Sequence, residues 1–374
     1  MAYRVKIYGA GSIGNHLAHA AVQMGWHVTV CDVSAAALAR MKDSIYPGRY
    51  GRWDDRIQLC TNDSAPRGTF DLIFVGTPPD VHLDVALAAI KESPRAVLVE
   101  KPLCTPSLRQ AQEFYEAANK AGVKVFVGYD HVVGLAALKV EELMAAGTIG
   151  RIETIDVEFR EHWAGIFAAH PWLAGPADSY LGFWERGGGA SGEHSHAMNL
   201  WQHFAHVAGA GRVTEVGARV NYVREQGAFY DNLCFVDLQT ERGLIGRVVQ
   251  DVVTRPSRKR ARIQGDQGSI EWVAGYSPEG DAVIVQRPGA SDEVHLLRKK
   301  RPDDFIQELK RIEADLRADT ADSPLGLERG LDTMMVVAAA HLSEREARRV
   351  RIHYQMGYQP DALVPVESME RSLS

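Results

Sequence analysis

Three glycines and an aspartate near the start of the chain have the spacing of a dinucleotide-binding turn. Gly9, Gly11 and Gly14 follow a short apolar run and open a helical pattern, and the next apolar run ends at position 32 with an aspartate. The glycines permit a tight bend and a close approach of the backbone to a pyrophosphate, while the helix N-terminus supplies free N–H groups. A carboxylate at position 32 accepts hydrogen bonds from ribose hydroxyls and repels a 2′-phosphate, which predicts NAD(H) rather than NADP(H). The predicted cofactor contacts here are Gly9, Gly11, Ser12, Ile13, Gly14 and Asp32.

Two further motifs follow apolar runs, at the end of a strand where parallel α/β sheets bind ligands. The first is Thr77-Pro78-Pro79 followed by His82, in which the prolines either stiffen the loop against a cofactor or simply make a rigid turn. The second is Glu100-Lys101-Pro102, in which the proline biases Lys101 toward an extended conformation. An ammonium group there can polarise a carbonyl or stabilise a developing alkoxide, although an isolated lysine is more often solvated. We also expect cofactor contacts from Thr77, Pro78, His82 and Glu100.

A histidine-rich segment, residues 192–206, has a helical pattern. On a helix its polar residues Glu193, His196, Asn199 and His203 fall near one face, opposite an apolar one. Glu193 is then placed to hydrogen-bond His196, to fix its tautomer and to raise its basicity, which suits a general base near neutral pH. The Glu-x-x-His spacing also fits two metal ligands. A closed metal site needs three or four, and the sequence offers no second suitable cluster, so we expect no metal.

An aromatic stretch, residues 158–186, contains His162 and Trp163. Aromatic faces beside polar groups suit the C–H faces and hydroxyls of a sugar ring, although such clusters are more often part of a core. A basic run follows at residues 255–262. This run either binds a phosphate or a partner, or forms a solvated face of a strand pair. We favour the solvated face.

These residues need a fold that brings strand ends together. In the first third of the chain, strand-like runs alternate with helical patterns, which predicts right-handed βαβ units and a parallel sheet covered on both faces. Gly25 is placed to end a helix, Ser34 to cap one, and Ser107 with Gln110 to form a capping box. The predicted strands are residues 3–8, 27–31, 71–76, 96–100 and 123–129, and the predicted helices are residues 12–24, 80–92 and 107–121.

The rest of the chain has a different pattern, with many strand-like stretches and fewer helical ones. This predicts an α+β domain on a large, mostly antiparallel open sheet. We therefore expect an α/β protein with a Rossmann domain, a doubly wound parallel sheet, at residues 1–128 and a substrate and oligomerisation domain at residues 129–374. Residues beyond about 360 are interpreted as a loose tail or a partner-contacting arm. The predicted strands here are residues 150–160, 212–224, 230–239, 243–253 and 260–272, and the predicted helices are residues 135–146, 192–208, 303–318 and 326–348.

Composition excludes several classes of protein. The 374 residues are 45% hydrophobic and 24% charged, as in soluble globular proteins, and the net charge of −6 argues against a general nucleic-acid binder. No apolar stretch approaches the roughly 20 residues of a membrane span, and the N-terminus is typical of a first strand rather than a signal peptide. The four cysteines have no paired metal or redox spacing in sequence. We expect a cytoplasmic enzyme without nucleic-acid or membrane partners.

Taken in order, the motifs resemble the glucose–fructose oxidoreductase, inositol dehydrogenase and rhizopine-catabolism (Gfo/Idh/MocA) family. The set comprises the glycine turn, Thr77-Pro78-Pro79 with His82, Glu100-Lys101-Pro102, residues 147–152, the glycine run 187–190 before His196, residues 265–270 and residues 340–343. The resemblance implies a Rossmann domain, an α/β domain whose open sheet often forms the oligomer interface, and NAD(P)-dependent dehydrogenation of sugars, cyclitols or nucleotide-sugars. It also implies that Lys101 is the family's active-site lysine and that His196 is the histidine after the glycine run.

The chain departs from the family pattern in two places. The family commonly has an aspartate four residues before the histidine, where this chain has Gly192, so that Glu193 is the nearest carboxylate. Many members have an arginine after the sixth strand, where this chain reads Tyr129-Asp130-His131. Both positions face the substrate in the family, so the substrate cannot be carried over with the fold. The expected substrate contacts are Lys101, Tyr129, His131, His162, Trp163 and Asn199.

We therefore expect an NAD(H)-dependent oxidoreductase that moves a hydride between nicotinamide and a secondary alcohol or ketone of a sugar, cyclitol or nucleotide-sugar. His196, oriented by Glu193, takes the hydroxyl proton, and Lys101 stabilises the oxygen. The alternative is a non-catalytic sugar- or nucleotide-sensing protein, since a fold does not fix an activity. We also expect a homodimer or homotetramer, because a large open sheet leaves an apolar face that helices do not cover.

Overall fold

A computed structural model of the chain describes residues 2–168, 170–300, 302–320 and 322–366. Its first sheet is fully parallel, as predicted, and consists of β1 (Arg4–Tyr8), β2 (His27–Asp32), β3 (Ile57–Thr61), β4 (Leu72–Val75), β5 (Ala96–Val99) and β6 (Lys124–Val127). The strand order is β3-β2-β1-β4-β5-β6. This is a doubly wound arrangement whose order reverses next to β1, where such folds bind their ligands. Strand β3 escaped prediction, because its run is short and two of its five residues are polar.

The helices of this first part are α1 (Ser12–Gln23), α2 (Ala35–Arg40), α3 (Tyr46–Tyr50), α4 (His82–Ile90) and α5 (Ala111–Ala121). Two local predictions are confirmed: Ser34 caps α2 by accepting the Ala37 N–H at 3.2 Å, and Gly25 ends α1 with a φ of +75°. The capping box at Ser107 is wrong. Leu108 and Gln110 have φ values of +56° and +61°, which a helix does not allow, so α5 begins only after them.

The second sheet has ten strands and is mostly antiparallel, as predicted. They are β7 (Ile152–Arg160), β8 (Val213–Glu225), β9 (Ala228–Thr240), β10 (Ile245–Asp251), β11 (Arg258–Gly265), β12 (Gly268–Ser277), β13 (Gly280–Gln286), β14 (Glu293–Arg298), β15 (Val350–Ile352) and β16 (Leu363–Pro365). Their order is β14-β13-β12-β11-β7-β10-β9-β8-β15-β16, in which β7 and β10 are a parallel pair. The single strand predicted at residues 260–272 is instead a hairpin, because the chain turns between Gly265 and Gly268.

The helices of the second part are α6 (Leu135–Ala145), α7 (Trp163–Ala168), α8 (Gly189–Glu193), α9 (Ser195–Val207), α10 (Asp303–Ala318) and α11 (Leu327–Glu346). The continuous helix predicted at residues 192–208 is wrong, since His194 leaves helical geometry and separates α8 from α9. The predicted loose tail is ordered where it is described, because β16 pairs with β15, and residues 367–374 lie outside the described part. None of the helices described is both long and apolar enough to cross a membrane.

Helices α9 and α11 pack on one face of the second sheet, and the opposite face is open. Three strand residues expose much of their surface there: Phe235 by 41%, Ile245 by 56% and Val294 by 48%. The basic run of residues 255–262 contributes to this face and is balanced by carboxylates, since Arg258 pairs with Glu158 and Arg262 with Glu271. The open face is therefore a mixture of apolar side chains and ion pairs.

Candidate active site

The glycine turn between β1 and α1 leaves room for a pyrophosphate. Gly9 has a φ of +105°, and a side chain at Gly14 would overlap the Gly9 carbonyl oxygen, so both positions require glycine. Around Gly11, none of the described heavy atoms lies within 4 Å of where a Cβ would stand. Helix α1 begins directly after this open space, and its first N–H groups are the usual partners of a pyrophosphate.

Asp32 ends β2 beside this turn and is half-buried. Its Oδ2 accepts a hydrogen bond from the Ala10 N–H and its Oδ1 accepts one from the Ser34 N–H, both at 2.8 Å. Each carboxylate oxygen keeps a second lone pair with which to accept a ribose hydroxyl. Asp32 therefore fixes the turn and is also placed to bind the adenosine ribose.

His82 connects the two loops that follow β4 and β5. Its buried ring lies between the carbonyl oxygens of Thr77, at 2.6 Å from Nε2, and Pro102, at 2.9 Å from Nδ1. Burial lowers the pKa of His82 to about 4, so the ring is neutral at neutral pH and its single N–H donates to one of these two carbonyl oxygens. Both ring nitrogens face these two loops, and a direct contact of His82 with the cofactor stays a prediction. His82 positions the Thr77 loop, whose own buried Oγ1 has no partner among the described residues.

Glu100 lies at the floor of the site. It is 4% exposed, and its Oε2 accepts a hydrogen bond from the Lys101 N–H at 3.2 Å. Burial and the nearby charge of Asp130 raise the pKa of Glu100 to about 8. Gly128 packs against this carboxyl group, since a Cβ there would lie 2.8 Å from the Glu100 carboxyl carbon and force the side chain to move. Glu100 is therefore a buried, largely protonated acid beneath the catalytic candidates.

Lys101 projects from the strand end and binds Glu193. Its Nζ donates to the Glu193 carbonyl oxygen at 2.9 Å and to the Glu193 carboxylate at 3.1 Å. Burial raises the pKa of Glu193, but the charge and hydrogen bond of Lys101 together with the charge of His194 more than offset this, and the pKa ends below its usual value. The predicted pairing of Glu193 with His196 is therefore wrong. The break at His194 puts the two residues on separate helices, and the carboxylate binds the lysine.

His196 lies at the start of α9 among aromatic neighbours. Its ring stacks on His131 with centroids 4.4 Å apart and meets the edge of Tyr129 at 5.5 Å. The carboxylate Oδ1 of Asp130 lies 3.8 Å from Nδ1 of His196 and 3.2 Å from Nδ1 of His131. Burial and the adjacent His131 hold the pKa of His196 well below its usual range. The imidazole is therefore neutral near pH 7, as a general base must be.

A cavity of about 200 Å³ joins these groups at the carboxyl edge of the parallel sheet. It extends from the start of α1 to Lys101 and His196, and strand β11 contributes Lys259, which pairs with Glu161 at 2.7 Å. The residues around it include Ser12, Ile13, His16, Glu100, Lys101, Asp130, His131, Glu161, Tyr180, Glu193, His194, His196 and Lys259.

Family models match both parts of the chain. The oxidoreductase family with an NAD-binding Rossmann fold matches residues 3–129, and the GFO/IDH/MocA C-terminal domain matches residues 137–271. The chain belongs to the Gfo/Idh/MocA family of NAD-binding oxidoreductases. The glycine turn and Asp32 both lie within the part that the NAD-binding Rossmann model matches.

The relatives found are distant. Oxidoreductase P35 of Formosa agariphila is 27% identical over 131 residues, which is 34% of this chain and 39% of that protein, so the chain spans about two fifths of its length. An Agrobacterium radiobacter oxidoreductase solved with NAD+, L-tartaric acid and magnesium has a TM-score of 0.73 at 18% identity, over 94% of this chain and 98% of that one. An Azotobacter vinelandii inositol dehydrogenase homologue solved with NADH and myo-inositol has a TM-score of 0.70 at 17% identity, over 94% and 98%. At these sequence identities, the similarity of this chain to the two solved structures shows the fold alone.

Three of the predicted substrate contacts lie outside the cavity lining. Asn199 donates from Nδ2 to the Thr333 Oγ1 at 3.0 Å, so it joins α9 to α11 in the core. The ring of Trp163 packs on Tyr230 at 5.3 Å in a small separate cluster. His162 accepts a hydrogen bond from the Ala164 N–H at 2.9 Å, at the rim. The helical and strand patterns did not reveal which faces the neighbouring elements cover, and a contact of these three side chains with substrate stays a prediction.

Tyr129 is a fourth predicted substrate contact that lies outside the cavity lining. It is 1% exposed and packs against the His196 ring, whereas His131 lines the cavity.

Asp130 is the residue that sequence reasoning missed. Position 192 is a glycine, and Asp130 brings a carboxylate to His196 from the turn after β6. The available signal was the acidic residue between two predicted substrate contacts, Tyr129 and His131.

Asp130, His131 and His196 also form a group whose ligand atoms lie within 4.8 Å of one another, which the sequence did not predict. Three such ligands are enough for a catalytic metal. The two rings, however, are stacked only 27° from parallel, so their in-plane lone pairs do not converge at a bond length of about 2.0–2.1 Å. The arrangement is better described as one carboxylate beside two imidazoles, at 3.2 Å and 3.8 Å, than as a metal site.

Proposed function

We propose that this protein is an NAD(H)-dependent dehydrogenase or reductase that acts on a secondary alcohol or ketone of a sugar or cyclitol. The observation that carries the proposal is the single cavity that joins the cofactor turn, at Ser12 and Ile13, to Lys101 and His196. A base, a cation and a dinucleotide turn around one cavity are the parts that hydride transfer from an alcohol requires. NAD, when bound, supplies the hydride acceptor.

In the oxidative direction, His196 receives the hydroxyl proton. Its neutral ring has one N–H, which we place on Nδ1 facing Asp130, so that Nε2 is free to accept the proton. The carboxylate of Asp130 then stabilises the imidazolium that forms. Lys101 donates to the substrate oxygen and stabilises its developing negative charge, and Glu193 holds the ammonium group in place.

The size of the cavity favours a small substrate. About 200 Å³ is below the roughly 300–1,000 Å³ of pockets that enclose drug-sized ligands. The Azotobacter homologue was solved with myo-inositol and the Agrobacterium one with L-tartaric acid, both small polyhydroxylated molecules. A monosaccharide or cyclitol therefore fits the proposal better than a nucleotide-sugar.

The test is a substrate panel. Purified protein is mixed with NAD+ and with inositols, hexoses, pentoses and sugar acids, and NADH formation is followed by absorbance. Turnover with at least one neutral polyol is expected. Tight binding of both cofactor and sugar by calorimetry, with no hydride transfer in either direction, would instead establish the non-catalytic sensor.

The open face of the second sheet supports a homodimer or homotetramer. Phe235, Ile245 and Val294 expose 41%, 56% and 48% of their surface on it. A second copy related by a two-fold axis would bury these side chains and place their neighbouring ion pairs against each other. We propose this face as the subunit interface.

A further inference from the structure

Two cysteines that are far apart in sequence meet beside the cofactor turn. The parallel register of β2 and β3 pairs Cys31 directly with Cys60, and their Sγ atoms lie 3.3 Å apart. Cys31 is fully buried, whereas Cys60 is partly exposed. The other two cysteines, Cys104 and Cys234, are buried in other parts of the chain.

The backbone geometry allows a bond between the two sulfurs. Neighbouring strands are about 4.7–4.9 Å apart, which lies within the range of about 4.4–6.8 Å between the Cα atoms of disulfides. Because Cys31 and Cys60 are register partners, their side chains lie on the same face of the sheet. The two sulfur atoms must approach by about 1.2 Å, from 3.3 Å to the S–S bond length of about 2.05 Å.

We propose that Cys31 and Cys60 are a redox modification site, forming a reversible disulfide that weakens cofactor binding. Disulfide formation and its effect on cofactor binding do not require the hydride-transfer chemistry proposed above. Both depend only on the position of the cysteine pair next to the dinucleotide turn.

The contacts of Cys31 connect the pair to that turn. Its carbonyl oxygen accepts the Gly9 N–H at 2.8 Å, and the next residue is Asp32, whose carboxylate holds the Ala10 N–H. Drawing Cys31 toward Cys60 pulls the end of β2 toward β3 and away from β1. The glycine turn and Asp32 both depend on that position, so the disulfide misplaces the two groups that bind pyrophosphate and ribose.

A peroxide can drive the oxidation. The thiolate of the more accessible Cys60 attacks one oxygen of hydrogen peroxide and the O–O bond breaks, which leaves a sulfenic acid on Cys60. The departing hydroxide takes up the proton that the Cys60 thiol had released and becomes water. The Sγ of Cys31 then attacks the Cys60 sulfur, the S–O bond breaks, and the departing hydroxide takes up the Cys31 proton as a second water. Two thiols lose two electrons to one peroxide molecule. A small-molecule dithiol reverses the reaction by exchange.

The order of attack follows from the surroundings of each sulfur. Burial and the neighbouring Cys60 raise the pKa of the Cys31 thiol, so it remains protonated and unreactive toward peroxide in solution. Cys31 is thus the resolving partner rather than the first to be oxidised.

Thiol counting and mass spectrometry test the chemistry. After mild hydrogen peroxide treatment, the full-length protein should show two free thiols in denaturant instead of four, and a peptide map should link Cys31 to Cys60. The Cys104→Ala variant is the matched control and should still lose two thiols. Cys60→Ser should not form this link. Four free thiols after treatment, or Cys60 oxidised beyond sulfenic acid without a link, would overturn the proposal.

Cofactor binding tests the consequence. The oxidised protein should bind NAD+ roughly tenfold more weakly, about 1.4 kcal/mol, and dithiothreitol should restore the original Kd. Cys60→Ser should bind NAD+ normally before and after peroxide. A complete Cys31–Cys60 disulfide that leaves the Kd unchanged would refute the coupling, and because Kd is measured without substrate, this result is separate from any failure of the proposed reaction.

Discussion

The Asp130 carboxylate lies 3.8 Å from Nδ1 of His196, although the two residues are on different elements. Asp130 lies in the 3₁₀ turn after the last strand of the parallel sheet, and His196 lies on α9 of the second part. The pair therefore joins the two parts of the molecule next to the proposed base.

Asp130→Asn should move the acidic limb of the pH–rate profile. The pKa of His196 is already low because of burial and His131, and the Asp130 charge opposes that lowering. Removing the charge lowers the pKa further, so the base stays deprotonated to lower pH and the acidic limb of kcat/KM shifts downward. A weaker base should also reduce kcat, by roughly tenfold or more. Glu193→Gln is the control and should leave the acidic limb in place. An acidic limb that shifts in Glu193→Gln but not in Asp130→Asn would instead show that Glu193 is the partner of His196.

His196→Ala should abolish most turnover without affecting the cofactor. Loss of a general base costs about 10²–10⁴-fold in rate, and the NAD+ Kd should stay the same because the glycine turn is untouched. The control is His203→Ala on the same helix, whose ring binds Glu141 at 2.8 Å away from the cavity. Steady-state kinetics and an NAD+ binding titration on both variants measure the loss of turnover and the Kd. Full activity in His196→Ala would remove it from catalysis.

Lys101→Ala should lower kcat and raise KM together. The ammonium group helps to bind the substrate oxygen in the ground state and to stabilise its charge in the transition state. Lys124→Ala is a suitable control, since that lysine pairs with Asp319 at the surface. Glu193→Gln should give a milder form of the Lys101→Ala effect, because it leaves the lysine charged but less well held. An unchanged KM in Lys101→Ala would show that the lysine does not contact the substrate.

NAD(H) should bind more tightly than NADP(H). A 2′-phosphate would stand close to the Asp32 carboxylate, and two like charges about 4 Å apart cost roughly 1–4 kcal/mol at a partly exposed site. Asp32→Asn should narrow the difference between the two dissociation constants. It should also weaken the binding of NAD+, because the Ala10 and Ser34 N–H groups lose a charged acceptor. Equal dissociation constants in the unmodified protein would contradict this role.

The protein should be a homo-oligomer at micromolar concentration. Light scattering should give a multiple of the 41.2 kDa chain mass. Ile245→Glu, at an exposed position of the open sheet face, should shift the equilibrium toward the monomer, because it places a charge in the proposed interface. Val33→Glu is a matched control, since Val33 is 84% exposed and directly follows β2 of the parallel sheet, outside the proposed interface. A single species near the chain mass for the unmodified protein would exclude this interface.

The sequence by itself determined the features that depend on neighbouring residues. The turn at Gly9, the Ser34 cap and the end of α1 at Gly25 follow from local backbone conformation, and alternating periodicities indicated the parallel sheet. Local signals fail where two conformations compete, as at Ser107, where positive φ values at Leu108 and Gln110 replace the expected capping box.

Only the tertiary structure decided which side chains meet. Glu193 binds Lys101, 92 residues away, because the chain breaks at His194 and turns the carboxylate out of the helix that carries His196. Asp130 reaches that histidine because the parallel sheet ends beneath α9. Cys31 and Cys60, which have no paired spacing in sequence, become neighbours through the register of β2 and β3. Such contacts depend on the register and packing of distant elements, which the pattern of a single segment does not encode.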